Sequence, residues 1–272
     1  MITVRKKKKE MVWLDGLTLA FQFLTIIPIK KNVPWDARRA RASVLNFPFI
    51  GAVLGILLSM QAFLLLEYTA FSTVVIAAWL LCFSIVFSGG LHLDGWMDVS
   101  DAIFSYRDQE RKLDIMKDSR VGAFGVLSLL FLLGWRYVFI LELLNLSTFS
   151  FLYFFIIPVL TRCMMGLSLI YGRPARKEGM AHAFKQHLSQ RLGTVYFGYL
   201  VMLFFVIVTV YSNYYMDMLV MICSALLFLV GFTILVFRQF GGVTGDTVGA
   251  TVEGGETWLW MTVWLLHYSV MG

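Results

Sequence analysis

The sequence predicts an all-α fold, a polytopic membrane helix bundle of about seven spans with a short interfacial or re-entrant helix near the N-terminus. Three observations lead there. Of 272 residues, 59% are hydrophobic and only 15% charged, whereas soluble domains carry about 25% charge. The mean hydropathy is +0.75, and apolar stretches of roughly 20 residues, the length needed to cross a bilayer, recur along the chain. The third observation is that the loops between those stretches alternate between basic and bare.

In order, the expected spans are 44–66, 71–91, 121–141, 148–171, 194–211, 218–237 and 257–270, the last one short and containing His267. The stretch 17–29 is too short to span and ends at Pro28 among basic residues, which suits a helix packed at the interface. The chain therefore reads as one integral membrane domain over 1–272, with a basic N-terminal segment (1–43), a site-bearing loop (92–120) and further loops at 172–193 and 238–256. Arg5 to Lys9 before an apolar run imitates a secretory signal, but Asp15 interrupts it and no small-residue cleavage site follows. Gly51 and Gly55, four apart, permit close helix contact, and Asn46 with Pro48 suggests an irregular helix start. Cys82, Cys163 and Cys223 fall inside apolar spans and read as small core residues.

Charge fixes an expected orientation. Ten Lys and Arg lie in 1–41, five in 92–120, five in 172–193, and Arg238 follows the sixth span, while the loops near Glu67, Asn145 and Asp217 have none. The positive-inside rule then puts the N-terminus and the basic loops in the cytoplasm and the C-terminus outside. The net charge of +6 reports this topology and contact with lipid headgroups, and nucleic acid is a poor explanation for it. Of the two arginines inside spans, Arg162 lies nearer the cytoplasmic end and should face the bundle interior with an anion beside it. Arg136 lies nearer the outer end and is expected to snorkel.

Function gathers on the expected cytoplasmic face. Asp94, Asp98 and Asp101 are spaced i, i+4, i+7, which on a helix places three carboxylates within roughly 60° of one another. Like charges so placed repel, and a divalent metal holding a phosphate is the natural resident among them. Lys117, Asp118 and Arg120 stand directly before glycines, where cations can clamp a polyphosphate; the rest of the run from Tyr106 reads as a solvated amphipathic helix. Gly241-Gly-Val-Thr244-Gly245-Asp246-Thr-Val-Gly249 has the composition of a phosphate cradle, with Asp246 in its middle. His182 and His187 read as solvated loop residues. Together these residues suit transfer of a phosphate-linked group from a nucleoside diphosphate conjugate to an alcohol.

The stretch 88–125, with Gly89-Gly-Leu-His92-Leu-Asp-Gly95, Asp98, Asp101 and Met116-Lys-Asp-Ser-Arg-Val-Gly122, resembles the cobalamin synthase family, the adenosylcobinamide-GDP ribazoletransferases. Phe23-Leu-Thr-Ile-Ile-Pro28, Phe47-Pro-Phe-Ile-Gly51, Arg173-Pro-Ala-Arg176 and 241–250 are similar as well, in the family's order over nearly the whole chain. Ile26 and Ile27 replace an Arg often seen before Pro28, so that segment is given no catalytic role. The resemblance implies a multi-pass inner-membrane enzyme that needs Mg²⁺. It transfers the adenosylcobinamide phosphate group from adenosylcobinamide-GDP to α-ribazole or its 5′-phosphate, releasing GMP. On that reading Asp94, Asp98 and Asp101 bind the metal and one aspartate helps to deprotonate the hydroxyl. His92 orients a carboxylate, and Lys117, Arg120, Arg162, Thr244, Gly245 and Asp246 contact substrate. Two alternatives stay open. A CDP-alcohol phosphotransferase uses similar carboxylates, but its Asp-Gly-x-x-Ala-Arg pattern is missing, since Trp96, Met97, Asp98 and Val99 follow Gly95. A cation or corrinoid transporter would need its carboxylates near the bilayer midplane.

Overall fold

The computed structural model describes residues 11–146 and 150–270; the basic run Arg5 to Lys9 and Thr148, the expected start of the fourth span, lie outside them. The described residues form a helical bundle without β-strands. The order is α1 (Val12–Leu24), α2 (Ala37–Leu45), α3 (Phe47–Tyr68), α4 (Thr73–Ser88), α5 (Leu91–Phe104), α6 (Gln109–Ile115), α7 (Ala123–Leu144), α8 (Leu152–Tyr171), α9 (Met180–Lys185), α10 (Gly193–Val210), α11 (Tyr215–Phe240) and α12 (Gly245–Val270).

Five helical runs are long and apolar enough to cross a membrane: α2 with α3, α7, α8, the run ending in α10 and the run ending in α11. The α4–α5 pair makes a sixth only if counted together across a 90° bend. The expected seventh span is different in kind. Its 14 residues are the second half of a 26-residue helix, α12, whose first half is the glycine-rich segment read from sequence as a loop. That helix is too polar to face lipid along its length, and it packs among α5, α7, α8 and α11.

The centre is α8, buried on nearly every face. A Cβ on Gly51 would lie 2.4 Å from the Pro158 carbonyl oxygen and one on Gly55 2.8 Å from Phe155 Cα, so these two glycines let α3 lie against the α8 backbone. Asn46 breaks the run between α2 and α3, its side chain donating to the Ala42 carbonyl at 2.7 Å, and Pro48 sits in the first turn of α3, where its missing N–H costs nothing. The short apolar helix α1 packs on α2 and α3. Asp15 ties it down by ion pairs to Lys31 at 2.7 Å and Arg39 at 2.8 Å.

Three expectations change. Arg136 does not snorkel: it is 1% exposed and donates to Thr257 Oγ1 at 2.9 Å, Glu253 Oε2 at 2.8 Å and Glu256 Oε2 at 3.1 Å. α12 supplies the carboxylates that make burial cheaper than reaching for water. Arg162 faces inward as expected and donates to Glu256 Oε1 at 2.5 Å. Glu256 thus joins two arginines, and two cations meet two anions in the bundle core. Only Cys163 of the three cysteines is buried; Cys82 and Cys223 lie on outward faces of α4 and α11, where a small apolar group is equally at home in lipid. The segment 92–120, expected as a loop, is largely helical, because the apolar side of α5 packs on α12 and α7.

Candidate active site

α4 ends at two consecutive glycines, Gly89 and Gly90, with φ of +66° and +72°. L side chains rarely adopt this region, and the two residues close α4 by donating to the Val86 and Ile85 carbonyls at 3.0 and 3.1 Å. The chain turns 90° there, so α5 lies across one end of the bundle instead of continuing through it. Its face with His92, Leu93, Gly95 and Val99 is buried.

That face meets the start of α12 through small residues on both sides. A Cβ on Gly95 would lie 2.7 Å from the Asp246 carbonyl oxygen, and one on Gly249 3.2 Å from His92 Cα. The close crossing brings carboxylates from two helices together: Asp98 is repelled by Asp94, Asp246 and Asp101. Asp101 is already engaged. Its two oxygens accept the Gly122 and Gly125 backbone N–H groups at 2.7 Å each, satisfying the free donors at the start of α7. It fastens α5 to α7.

α12 opens on a reciprocal cap. The Thr247 N–H donates to Thr244 Oγ1 at 3.2 Å and the Thr244 N–H donates to Thr247 Oγ1 at 2.8 Å, the two-way arrangement of a capping box. Just before it, the Val243 N–H donates to the Arg173 carbonyl at 2.8 Å and the Ala175 N–H to the Val243 carbonyl at 2.9 Å. This one-residue parallel bridge between Pro174 and Val243 sets Arg176 near Asp246, which it attracts. Arg176 also donates to the Leu113 carbonyl, and its Nε is buried without a protein partner.

These elements form a partly open cavity of about 210 Å³. Asp94, Arg176, Thr244, Gly245 and Asp246 line its polar side, His92 adjoins them, and α1, α3, α8 and α9 supply an apolar wall. His92 is 1% exposed and neither ring nitrogen has a partner.

The other expected site residues sit elsewhere. Lys117 pairs with Glu178 at 2.9 Å and pulls that carboxyl below its usual range; since Glu178 lines the cavity, Lys117 stands at its rim. Arg120 is turned to solvent, its side chain 86% exposed. It holds the Asp118 carboxyl at about 2, so that pair stays ionised and Arg120 does not reach the cavity. Arg162 does not line the cavity; it donates to Thr161 Oγ1 at 3.1 Å and to Glu256. His182, on α9, bonds Gln186 just past its end at 2.7 Å.

Among the described residues no three His, Cys, Asp or Glu side chains converge as a ready-made metal shell. The donor set nevertheless suits Mg²⁺, which is commonly held by one or two carboxylates with substrate phosphates and water. Asp94, Asp98 and Asp246 are the carboxylates available, Asp101 being engaged.

The family model described as cobalamin-5-phosphate synthase matches residues 16–264. The chain belongs to the cobalamin-5-phosphate synthase family. It is 42% identical over 257 residues to a protein of Geobacillus sp. (strain WCH70), covering 94% of this chain and 98% of the relative. It is 41% identical over 264 residues to one of Halalkalibacterium halodurans, with the same coverage, and 30% identical over 247 residues to one of Clostridium tetani, covering 89% and 93%. All three relatives are named adenosylcobinamide-GDP ribazoletransferase. No solved structure matches the chain. Within this family member, Arg176 is a cavity residue to which the sequence alone gave no role. Its signal was present in the Arg173-Pro-Ala-Arg176 segment, but nothing in one dimension separates Arg176, which lines the cavity, from Arg173, which donates to Gly241 and stacks over Phe237.

Proposed function

We propose that this chain is an adenosylcobinamide-GDP ribazoletransferase. A hydroxyl of α-ribazole, or of its 5′-phosphate, attacks the phosphorus on the cobinamide side of adenosylcobinamide-GDP. A new P–O bond forms as the P–O bond to the bridging oxygen breaks, the hydroxyl proton is lost, and GMP leaves with that oxygen. The observation that carries this reading is the end-to-end match to relatives of that name, 98% of the length of the first two. Neither a CDP-alcohol phosphotransferase nor a transporter finds comparable support.

Each part of the site has a task in that reaction. Mg²⁺ would be held by one or two of Asp94, Asp98 and Asp246, which face one another across the α5–α12 crossing. It would supply positive charge against the transferring phosphate. Arg176 places a guanidinium beside the same carboxylates, where it can take a phosphate in bidentate fashion. The first turn of α12 adds N–H groups and the positive end of a helix dipole. One of Asp94, Asp98 and Asp246 accepts the hydroxyl proton, while Asp101 keeps α5 in position.

The protein resides in the cytoplasmic (inner) membrane, with the cavity and the N-terminus on the cytoplasmic side and the C-terminus outside. The alternation of basic and bare loops supports this orientation. The test is GMP release by membranes containing the protein, with and without α-ribazole 5′-phosphate and Mg²⁺, beside Asp94→Asn. Release that requires both additions and fails in the variant is the expected result; release independent of either would overturn the reading.

A further inference from the structure

The cavity is lined by two chemically distinct sets of residues, and its size limits what fits. An apolar cavity of about 150 Å³ admits benzene, and drug-sized ligands fill about 300–1,000 Å³. At about 210 Å³ this one takes a fused two-ring heterocycle with part of a sugar. A corrin macrocycle is several times too large.

One wall is built from Phe23, Leu24, Phe47, Met165, Leu169 and Phe184. Phe184 is 1% exposed and meets Phe23 and Phe47 edge to face, with ring centroids 5.4 and 6.2 Å away, so three rings from α1, α3 and α9 brace one another. This wall carries no side-chain hydrogen-bonding group. The polar lining residues come from other elements: His92 and Asp94 on α5, Thr244 and Asp246 at the start of α12, and Arg176 and Glu178 before α9. The two free nitrogens of His92 and the free Nε of Arg176, all buried, are costly unless a ligand completes them.

Four fragments could compete for such a space if the proposed reaction holds: the corrin ring, the adenosyl ligand and the guanosine of the donor, and the base of the acceptor. The corrin ring is too large to enter whole. Guanine carries an amide edge and an amino group, and adenine an amino group and ring nitrogens, which against phenylalanine and leucine would lose their hydrogen bonds to water without replacement. Benzimidazole with two methyl groups is flat, apolar and edged by C–H, and it suits such a wall.

We infer that this cavity is the acceptor site of the reaction proposed above. The benzimidazole of α-ribazole lies against Phe23, Phe47 and Phe184, with its ribose or 5′-phosphate toward His92 and Arg176. The donor's guanosine and corrinoid bind outside the cavity. Acceptor specificity therefore resides in α1, α3 and α9, away from the aspartates.

Separate titration of the two substrates tests this. Phe184→Leu and Phe23→Leu are each expected to raise the KM for α-ribazole 5′-phosphate about tenfold, with the KM for adenosylcobinamide-GDP within about twofold of the parent. The preference for the benzimidazole nucleotide over an α-linked adenine nucleotide should fall with it. A rise confined to the donor KM, an equal rise in both, or no change in either would overturn the assignment. A second measurement needs no variant. An azido-benzimidazole riboside, photolysed on the wild-type protein, should label peptides containing Phe23 or Phe184 and be displaced by α-ribazole but not by GMP. Labelling elsewhere, or protection by GMP, would overturn the assignment. Wild-type protein that turns over both substrates while the label maps elsewhere sinks the cavity assignment alone; no GMP release from wild type sinks the reaction itself.

Discussion

An arginine in the middle of an apolar bundle is tolerable only with an anion beside it, and here the accounts of Arg136 and Glu253 are inseparable. Removing one partner strands the other's charge. Arg136→Met is expected to destabilise the protein by about 3–5 kcal/mol, and the double variant Arg136→Met/Glu253→Met to regain much of that loss; thermal unfolding in detergent reads both. The aspartates of α5 should separate by the same logic. Asp94 lines the cavity and leaves few structural bonds behind, so Asp94→Asn is expected to abolish turnover with little change in unfolding temperature. Asp101 accepts two backbone N–H groups at the start of α7, so Asp101→Ala is expected to cost about 1–2 kcal/mol of stability. If instead Asp101→Ala melts like the parent and loses only Mg²⁺ dependence, its role is ligation. Sequence could place these three aspartates on one helical face, but it could not see that the third had a backbone to hold, because the partners lie 21 and 24 residues onward.

Helices behave as units where glycines let them touch. A Cβ on Gly95 would press into the Asp246 backbone at 2.7 Å, and neither helix can yield without moving Asp94 away from Asp246. Gly95→Ala is therefore expected to lower kcat about a hundredfold, since displacements near 1 Å have that effect. Gly134→Ala and Gly198→Ala, with nothing within 4 Å of the added atom, should be neutral or stabilising by about 0.5–1 kcal/mol. A kcat for Gly95→Ala equal to the parent's would mean that the crossing is slack. Sequence made five of the seven spans legible, because their apolar residues form long runs; the second is the short helix α4, which reaches spanning length only with α5 across a 90° bend. It misplaced the start of α12, because glycines at 249, 254 and 255 look like a loop in one dimension. In three they are contact points against His92, against Trp96 and Phe228, and against Met164.

At the scale of the whole molecule the alternation of charged loops makes a labelling pattern. With Cys82 and Cys223 replaced, a cysteine introduced at Lys177 should react with an impermeant maleimide only in inside-out vesicles, and one introduced at Ser72 only in right-side-out vesicles. Equal reaction of both sites from one side would refute the orientation. The bundle and the family were visible in the residues themselves. The cavity was not, since it is assembled from α1, α3, α5, α8, α9 and the start of α12, and no local pattern announces a space between six elements.

The paired Arg136, Glu253, Glu256 and Arg162 have a consequence beyond stability. A membrane that stores energy as a proton gradient cannot tolerate a wet track through one of its proteins, yet this one combines a cavity with a polar side and ionisable groups in the bundle core. Those groups are at most 6% exposed and neutralise one another in ion pairs, so they are expected to pass no proton onward. Vesicles carrying the protein should hold an imposed pH difference as long as empty ones do.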